Sequence, residues 1–286
     1  MKTILVTGGT NGIGKGIAMD FLKKGDRVIV VGSSFTKGET FYNEAKQLGA
    51  EDRAIFLPAD LSLVKENQRI MEEIKSRFHS LDIIVLCAQS QKYSATYSET
   101  KEGFEFTFGL YYLSRYILSF GLKGCLEKAE NPVILNVCAP GMKGKVNWKD
   151  VQHQNGYNSI KAILHGSMLN DLLGVAFAEN YKESKIKYIL YNPSAVQTTG
   201  AMEAYEQPVM KLMIKLLYKI VGKPVKEAIK PIIHLLENPP APSLSAFMGQ
   251  KEVSLKMVTF DKNNAQRLFD LTKGLVANFQ GNNPQI

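Results

Sequence analysis

The stretch that decides the fold runs from Thr7 to Gly14 and reads TGGTNGIG. It follows the apolar run Ile4–Val6 and leads into a helical pattern that begins at Lys15. A strand that turns through glycines into a helix leaves unpaired backbone N–H groups at the turn, with the positive end of the helix dipole behind them. Such a turn can bind a phosphate group. The alternative is an ordinary glycine-rich turn, because a glycine pattern alone is weak support for a nucleotide site.

The composition is that of a globular protein with one substantial core. The chain has 286 residues, of which 45% are hydrophobic and 22% are charged, and we expect a single domain over residues 1–286. The net charge of +8 comes from basic residues spread along the chain. No Lys/Arg block accompanies an aromatic platform, so nucleic-acid binding is not expected, and an anionic cofactor is an adequate reason for the basic surface.

Cysteine and histidine spacing gives no sign of a metal site. Cys87, Cys125 and Cys138 form no C-x-x-C pair, and the four histidines lack the spacing of metal ligands. Free thiols, together with the absence of a signal peptide or an apolar run of membrane-spanning length, predict a cytoplasmic protein.

Apolar runs of strand length alternate with helical patterns along the chain. This alternation predicts a doubly wound α/β fold of the Rossmann type, with a parallel sheet of about seven strands and helices on both faces. The predicted strands are Ile4–Thr7, Arg27–Gly32, Ala54–Pro58, Asp82–Leu86, Val133–Val137, Lys187–Tyr191 and Ala246–Gly249.

The spacing of Gly8, Gly12 and Gly14 resembles the T-G-x-x-x-G-x-G signature of the short-chain dehydrogenase/reductase family. The segment Glu102–Phe108 resembles the branch that contains retinol dehydrogenases and protochlorophyllide reductases. The resemblance implies an oxidoreductase that binds NAD or NADP at the carboxyl ends of the strands. In the first loop it implies cofactor contacts from Gly8, Thr10, Asn11, Gly12, Ile13 and Gly14.

The end of the second strand favours NADP(H) over NAD. A site for NAD would place Asp or Glu there against the ribose 2′-hydroxyl. This chain has Ser33 and Ser34, with Lys37 close behind. Two hydroxyls and an ammonium can hold a 2′-phosphate, although Lys37 is also interpretable as a solvated lysine at a helix start.

Later loops carry further positions that the resemblance assigns to the cofactor. They are Asp60, Leu61, Ala88, Gln89, Pro193, Val196 and Thr198. Asp60 could equally cap the following helix, and both roles can hold together. Ala88 is the only match to the family's Asn-Asn-Ala-Gly, because Leu86 and Cys87 stand in place of the two Asn residues and Gln89 in place of the Gly.

Tyr157 and Lys161 match the family's Y-x-x-x-K pair. The pattern also occurs at Tyr42, Tyr97 and Tyr181, but only Tyr157 follows the fifth strand and opens a helix with small residues in its early turns. Residues at i and i+4 share one helix face, so Lys161 is expected to lower the pKa of the phenol. The resemblance makes Tyr157 the proton donor and lets Lys161 hold the nicotinamide ribose. An amphipathic helix with a surface lysine is the alternative.

Two further catalytic positions depart from the family pattern. Alignment on Asn136 and Val137 puts Ala139, or with a one-residue slip Cys138, where the family has its catalytic serine, and Tyr111 replaces a catalytic Asn. A positioned donor to a developing oxyanion contributes roughly 3–4 kcal/mol. Three outcomes remain open for a chain without this serine. It could act on the carbonyl of a small, apolar substrate with another donor such as Tyr111, Tyr112 or Gln89, or it could act on an imine or activated alkene, which needs less help. It could also bind the nucleotide without turnover.

The segment 209–221 is apolar, with Lys211, Lys215 and Lys219 in one stripe. Three interpretations compete: a substrate lid within residues 200–223, which we favour, a helix lying on a membrane surface, or an ordinary packed helix. Residues 261–279 are expected to form a carboxyl-terminal helix. The oligomeric state is open, although family members often pair as homodimers through helices that correspond to residues 101–122 and 157–179.

Overall fold

The computed structural model describes residues 1–90, 96–202 and 208–281, without the side chains of residues 201–202, 208–211, 214, 278, 280 and 281. Within these ranges the strands are β1 (Thr3–Thr7), β2 (Arg27–Gly32), β3 (Ala54–Pro58), β4 (Ile83–Leu86), β5 (Val133–Val137), β6 (Lys187–Asn192), β7 (Val196–Gln197), β8 (Lys223–Pro224), β9 (Leu244–Met248) and β10 (Lys251–Glu252).

Eight of these strands form one central sheet in the order β10-β9-β6-β5-β4-β1-β2-β3. All neighbours are parallel except β10 and β9. The doubly wound α/β fold predicted from the sequence is confirmed, and the short antiparallel edge strand β10 extends the expected seven strands to eight. The chain runs outward from β1 to β3 and then returns to β4 on the other side of β1, which creates a crevice at the carboxyl ends of β1 and β4.

The helices cover both faces of this sheet. They are α1 (Gly12–Lys23), α2 (Phe35–Gln47), α3 (Val64–Arg77), α4 (Ser114–Gly121), α5 (Lys123–Leu126), α6 (Ser159–Asn180), α7 (Thr199–Met202), α8 (Pro208–Val221), α9 (Val225–Ala228), α10 (Lys230–Glu237) and α11 (Lys262–Gly281). A π-helical turn, Phe108–Leu113, precedes α4, and a 3-10 turn, Val258–Phe260, precedes α11. No helix in the described ranges is long and apolar enough to cross a bilayer.

Alternation along β1 divides the core into two layers. Ile4 and Val6 pack on the side of α1 with Ile17 and Phe21, and Leu5 packs on the opposite side of the sheet. Because strand side chains alternate between faces, a strand buried on both faces reads as a continuous apolar run. The run Ile4–Val6 therefore predicted a central strand correctly.

The long helix expected over residues 101–122 begins later than predicted. Glu105 is buried, and its carboxylate accepts hydrogen bonds from the backbone N–H groups of Thr107 at 2.9 Å and Phe108 at 2.6 Å. A carboxylate that binds the first amides of a helix fixes where the helix starts. Gly103, with φ of +81°, lies in the turn before it.

Helix α11 covers the outer face of α4 and α6. Phe269 packs against Tyr116 and Phe120 at ring distances of 5.9 and 5.0 Å, and the Thr272 and Tyr112 hydroxyls lie 2.6 Å apart. The carboxyl-terminal helix predicted over 261–279 is present. It packs on α4 and α6, which lie within the two ranges, 101–122 and 157–179, through which family members often pair. Formation of a homodimer stays a prediction.

Candidate active site

A cavity of about 670 Å³ lies at the carboxyl ends of the central strands. Its wall is built from the loops that follow β1 to β6, with additional side chains from the π-helical turn, α6 and α8. Most residues predicted to bind the cofactor line this cavity: Gly8, Thr10, Asn11, Gly12, Ile13, Gly14, Ser33, Ser34, Lys37, Asp60, Leu61, Ala88, Gln89, Pro193 and Thr198. Tyr157, Lys161 and Val196 do not.

The turn after β1 has the geometry of a phosphate cradle. Gly8 and Gly12 have φ values of +64° and +55°, in the left-handed region that favours glycine. A Cβ atom at Gly14 would lie 2.6 Å from the Gly8 carbonyl oxygen, and one at Gly8 would lie 2.9 Å from Ala88 Cα. The Asn11 side chain caps α1 by accepting from the Gly12 N–H at 2.9 Å. The amino-terminal end of α1 therefore faces the cavity, and the glycines of the turn leave room beside it. This arrangement fits the pyrophosphate of a dinucleotide.

A second helix amino terminus lies at the end of β2. Ser34 is the N-cap of α2, and its hydroxyl oxygen accepts from the Lys37 N–H at 3.4 Å. The Ser34 hydroxyl proton is not used by this bond. Ser33, Ser34 and Lys37 all line the cavity, and the first turn of α2 contains no acidic residue. This corner is suited to a second anionic group. It offers two hydroxyl donors and an ammonium group, and the positive end of the α2 dipole points toward it.

The ends of β3 and β4 form the opposite wall. Asp60 Oδ1 accepts from the Ser62 N–H at 3.0 Å and from the Ser62 hydroxyl at 2.7 Å, so Asp60 stabilises its own loop while lining the cavity. The Thr7 hydroxyl accepts from the N–H groups of Cys87 and Ala88 at 3.1 and 3.2 Å. These bonds hold the end of β4 against β1.

The loop after β6 forms another part of the cavity wall, which includes Thr198. A Cβ atom at Gly12 would lie 3.1 Å from Thr198 Cγ2, so the loops after β1 and β6 approach each other closely. Ser194 has φ of +61°, in the left-handed region that favours glycine. Val196 lies in β7, where it is buried outside the wall.

Tyr157 is held away from the cavity. Its hydroxyl donates to Glu105 Oε1 at 3.2 Å, and its ring packs edge-to-face on Tyr97 at 5.6 Å. Helix α6 begins at Ser159 with Asn158 as its N-cap, so Tyr157 precedes the helix and does not share a helix face with Lys161. Burial raises the pKa of Tyr157, and the Glu105 carboxylate raises it further. This direction is opposite to the one expected from a lysine neighbour.

Other residues of α6 form the wall of the cavity. They are Ile163, Leu164 and Ser167. Lys161 lies in the first turn of the helix, where its N–H donates to the capping Asn158 side chain at 3.0 Å and its side chain is exposed. The Y-x-x-x-K pair is therefore not brought together in the cavity. The catalytic assignment of Tyr157 and Lys161 stays a prediction.

Tyr111, from the π-helical turn, lines the cavity instead. Tyr111 is buried, and its hydroxyl lies 3.0 Å from Ser167 Oγ, which also donates to the Ile163 carbonyl at 3.1 Å. Both Tyr111 and Ser167 line the cavity. Burial is the largest cause of a strong upward shift in the pKa of Tyr111, and the Arg115 charge opposes it. The sequence singled out Tyr111 because it stands where the family has a catalytic Asn. No nearby sequence feature indicated its contact with Ser167.

Arg115 is a buried cation behind this phenol. Its guanidinium lies 4.4 Å from the centre of the Tyr111 ring and donates to the Asn136 side chain, to the Val137 carbonyl at 2.8 Å and to the Ala88 carbonyl at 3.2 Å. No carboxylate among the described residues lies within 4 Å of it. Sequence reasoning missed Arg115, although a single charge inside an apolar helical pattern was a usable signal.

The position of the family's catalytic serine has no hydroxyl. Cys138 and Ala139, the two candidates for that slot, both line the cavity at the end of β5. Burial strongly raises the pKa of the Cys138 thiol, so it is protonated at neutral pH and is a weak donor. The Gln89 amide, the Tyr111 phenol and the Ser167 hydroxyl also line the cavity, and each is a stronger hydrogen-bond donor than this thiol.

Comparison with known proteins places the chain in a family. The model of the short-chain dehydrogenases matches residues 2–209. Retinol dehydrogenase 14 of Mus musculus is 22% identical over 288 residues, which cover 96% of this chain and 86% of that protein. Retinol dehydrogenase 12 of the same organism is 23% identical, over 95% of this chain and 85% of its own length.

Solved structures share the fold at lower identity. A short-chain dehydrogenase from Burkholderia cenocepacia in complex with NADP superimposes with a TM-score of 0.66 and 15% identity, over 86% of this chain and 95% of that one. A short-chain dehydrogenase from Sphingobium yanoikuyae in complex with NADPH gives a TM-score of 0.65 and 14% identity, over 100% and 97% of the two chains. With a match over most of its length and a cavity at the expected strand ends, the chain belongs to the short-chain dehydrogenase family.

Proposed function

We propose that the chain binds NADP(H) in the cavity and transfers hydride to or from a carbonyl, imine or activated alkene, with Tyr111 in place of Tyr157 as the proton donor. The observation that carries this proposal is the position of the Tyr111 phenol in the cavity wall, 3.0 Å from Ser167 Oγ. Bound NADPH would supply the hydride.

The nucleotide part of the proposal is supported by two anion sites. The glycine turn at α1 would hold the pyrophosphate, because it lines the cavity at the amino-terminal end of the helix and its glycines carry no Cβ atom. Ser33, Ser34 and Lys37 at α2 would hold the 2′-phosphate. The family relatives crystallised with NADP or NADPH are consistent with this choice.

The acid role of Tyr111 follows from its hydrogen bonds. Ser167 has one hydroxyl proton, which it can donate either to the Ile163 carbonyl or to the Tyr111 oxygen. When Ser167 donates to Tyr111, the phenolic proton is free for a substrate atom in the cavity. The raised pKa of Tyr111 keeps the phenol protonated at neutral pH. Once the proton has left, Arg115 at 4.4 Å from the ring stabilises the phenolate.

A second candidate function is nucleotide binding without turnover. Two observations favour it: neither Tyr157 nor Lys161 lines the cavity, and Ala139 offers no hydroxyl at the end of β5. On this interpretation the protein senses the nucleotide or presents it to a partner.

Titration calorimetry and turnover separate these functions. We expect NADPH to bind wild-type protein and to be oxidised with at least one member of a panel of apolar ketones, imines and enones. Tyr111→Phe should retain NADPH binding but lose at least about 100-fold in turnover, because a positioned general acid contributes about that much. Tyr112→Phe is the matched control, since its buried hydroxyl contacts Thr272 outside the cavity wall.

Three outcomes would contradict the proposal. Absence of NADPH affinity would remove the nucleotide role. Binding without oxidation of any substrate in the panel would favour the second candidate. Equal turnover of Tyr111→Phe and wild type would remove Tyr111 as the acid.

A further inference from the structure

Helix α8 presents a broad apolar face to solvent. Six large apolar side chains of this helix are between 48 and 82% exposed: Leu212, Met213, Leu216, Leu217, Ile220 and Val221. Helices of globular proteins normally turn such a face toward the core. A contiguous exposed apolar patch marks an interaction site with a protein, a membrane or a ligand.

The arrangement around the helix axis separates this face from the cavity. At 100° per residue, the apolar side chains span about half of the helix circumference and centre near Ile220, which is also the most exposed of them. Tyr218 projects in roughly the opposite direction and lines the cavity. Among the described side chains of α8, it is the only one in the cavity wall, so the apolar face does not close over the site. The lid interpretation made from sequence therefore stays a prediction that only Tyr218 supports.

Positive charge borders one edge of the apolar face. Lys215 and Lys219 follow each other one helical turn apart, and Lys223 comes just after the helix. None of the three lies within 4 Å of a carboxylate of the described residues. A helix with one apolar face and lysines beside it has the pattern of a helix that lies in the interface of an anionic bilayer. In an antiparallel two-fold pair of copies, by contrast, the lysine stripes would lie on the same side of the contact and repel each other.

The carboxyl-terminal end of α8 is anchored to the rest of the molecule. The Gln197 side chain donates to the Tyr218 and Gly222 carbonyls at 3.1 and 2.8 Å. Strand β8 pairs with β7 directly after the helix. The helix can therefore present its outer face to a surface while its inner face remains part of the cavity.

We propose that α8 docks the protein on the surface of a bilayer that contains anionic lipids, with the Leu216 and Ile220 side chains in the acyl-chain boundary and Lys215 and Lys219 at the headgroups. Docking would place the cavity about one helix diameter from the lipid phase, because Tyr218 lines the cavity on the opposite side of α8. An apolar substrate could then enter from the bilayer, and this last clause rests on the proposed function.

Vesicle sedimentation tests the docking without reference to activity. Full-length protein is mixed with vesicles of phosphatidylcholine, or of phosphatidylcholine with phosphatidylglycerol, at low and high salt. We expect binding to the mixed vesicles that weakens with salt, and weaker binding to phosphatidylcholine alone. Ile220→Glu should reduce binding at least about tenfold, because it removes a fully inserted side chain. Lys219→Glu should reduce it by at least about fivefold on the mixed vesicles only.

Matched controls lie at the other end of the sheet. Leu48→Glu changes an exposed leucine at the end of α2, and Lys128→Glu changes an exposed lysine before β5, so both lie at the amino-terminal edge of the strands. Neither should change vesicle binding. Thermal melting of each variant without vesicles establishes that it is folded.

The proposal is overturned if wild type does not bind the mixed vesicles, or if folded Ile220→Glu binds them as wild type does. It is also overturned if Ile220→Glu converts a dimer in sedimentation analysis to a monomer, since a second copy would then cover the face. NADPH affinity measured without vesicles is independent of all these outcomes, so a failure of docking is distinguishable from a failure of the nucleotide site.

Discussion

The Tyr157 hydroxyl lies 3.2 Å from Glu105 Oε1 and donates a hydrogen bond to it. The same carboxylate accepts the N–H groups of Thr107 and Phe108 at the start of the helical segment that carries Tyr111. Tyr157 thus helps to fix the beginning of that segment, although its own ring lies outside the cavity wall.

Replacing this phenol should therefore affect stability more than nucleotide binding. We expect Tyr157→Phe to lower the free energy of unfolding by about 1 kcal/mol, since a half-buried hydrogen bond to a carboxylate is lost. NADPH affinity should be unchanged. Urea unfolding and titration calorimetry measure the two quantities, with Tyr42→Phe, a surface tyrosine of α2, as control. A hundredfold loss of turnover in Tyr157→Phe would instead support Tyr157 as the acid.

Nucleotide preference should depend on the corner at α2. We expect Lys37→Ala to weaken NADPH binding by about tenfold and to leave NADH binding unchanged, because only NADPH carries the 2′-phosphate that the ammonium would face. Lys46→Ala, in the last turn of the same helix, is the matched control. Equal losses for both nucleotides would show that Lys37 acts on a feature they share.

Arg115, the buried cation behind Tyr111, should be sensitive to replacement. Replacement by Met leaves the oxygen of the buried Asn136 side chain and the Val137 carbonyl without this donor. We expect Arg115→Met to lower the free energy of unfolding by about 3 kcal/mol. Arg115→Lys keeps the charge but cannot reproduce the planar set of donors, so it should also be destabilising. Urea unfolding that gave wild-type stability for Arg115→Met would contradict this account.

Asp171 should make stability depend on pH. It is buried on α6, and burial raises its pKa to about 7, although it accepts a hydrogen bond from the Gly141 N–H at 2.9 Å. Because the folded pKa lies above the unfolded value near 4, the folded state binds more protons between these pH values. The stability contributed by protonated Asp171 is complete below about pH 4 and is lost as pH rises to about 7, to a total of about 4 kcal/mol.

Asp171→Asn isolates this effect from the other titrating groups. The difference in unfolding free energy between wild type and Asp171→Asn should fall steadily from pH 4 to pH 7 and then level off. His165 works in the opposite direction, because burial lowers its pKa to about 4, but it is present in both proteins and cancels in the difference. A difference that does not vary with pH would mean that Asp171 titrates normally.

The sheet and the nucleotide half of the site could be predicted from the sequence because their signals are local. The predicted β2, β3 and β5 have the observed bounds, since each contains at least three consecutive apolar residues, as expected of a strand that is buried on both faces. The glycine turn was recognisable for a similar reason. Gly8 and Gly12 have positive φ values, which favour glycine, so the backbone conformation is reflected in the residue types.

The catalytic end could not be predicted in the same way. The Y-x-x-x-K pattern was assigned to a shared helix face, but Asn158 caps α6 one residue after Tyr157 and sets the helix start. Asn158 was visible as a good N-cap residue, so this part was recoverable. The contact between Tyr111 and Ser167 was not, because the two residues are 56 positions apart and meet only through packing of α6 against the π-helical turn.

The position of α11 limits where the polypeptide can be truncated at its carboxyl-terminal end. Phe269 and Thr272 shield an aromatic surface formed by Tyr116, Phe120 and Tyr112. A polypeptide ending before Lys262 would expose this aromatic surface to solvent. We expect it to aggregate or to dimerise with a second truncated molecule. An affinity tag is accordingly safer at the amino terminus than fused tightly behind this helix.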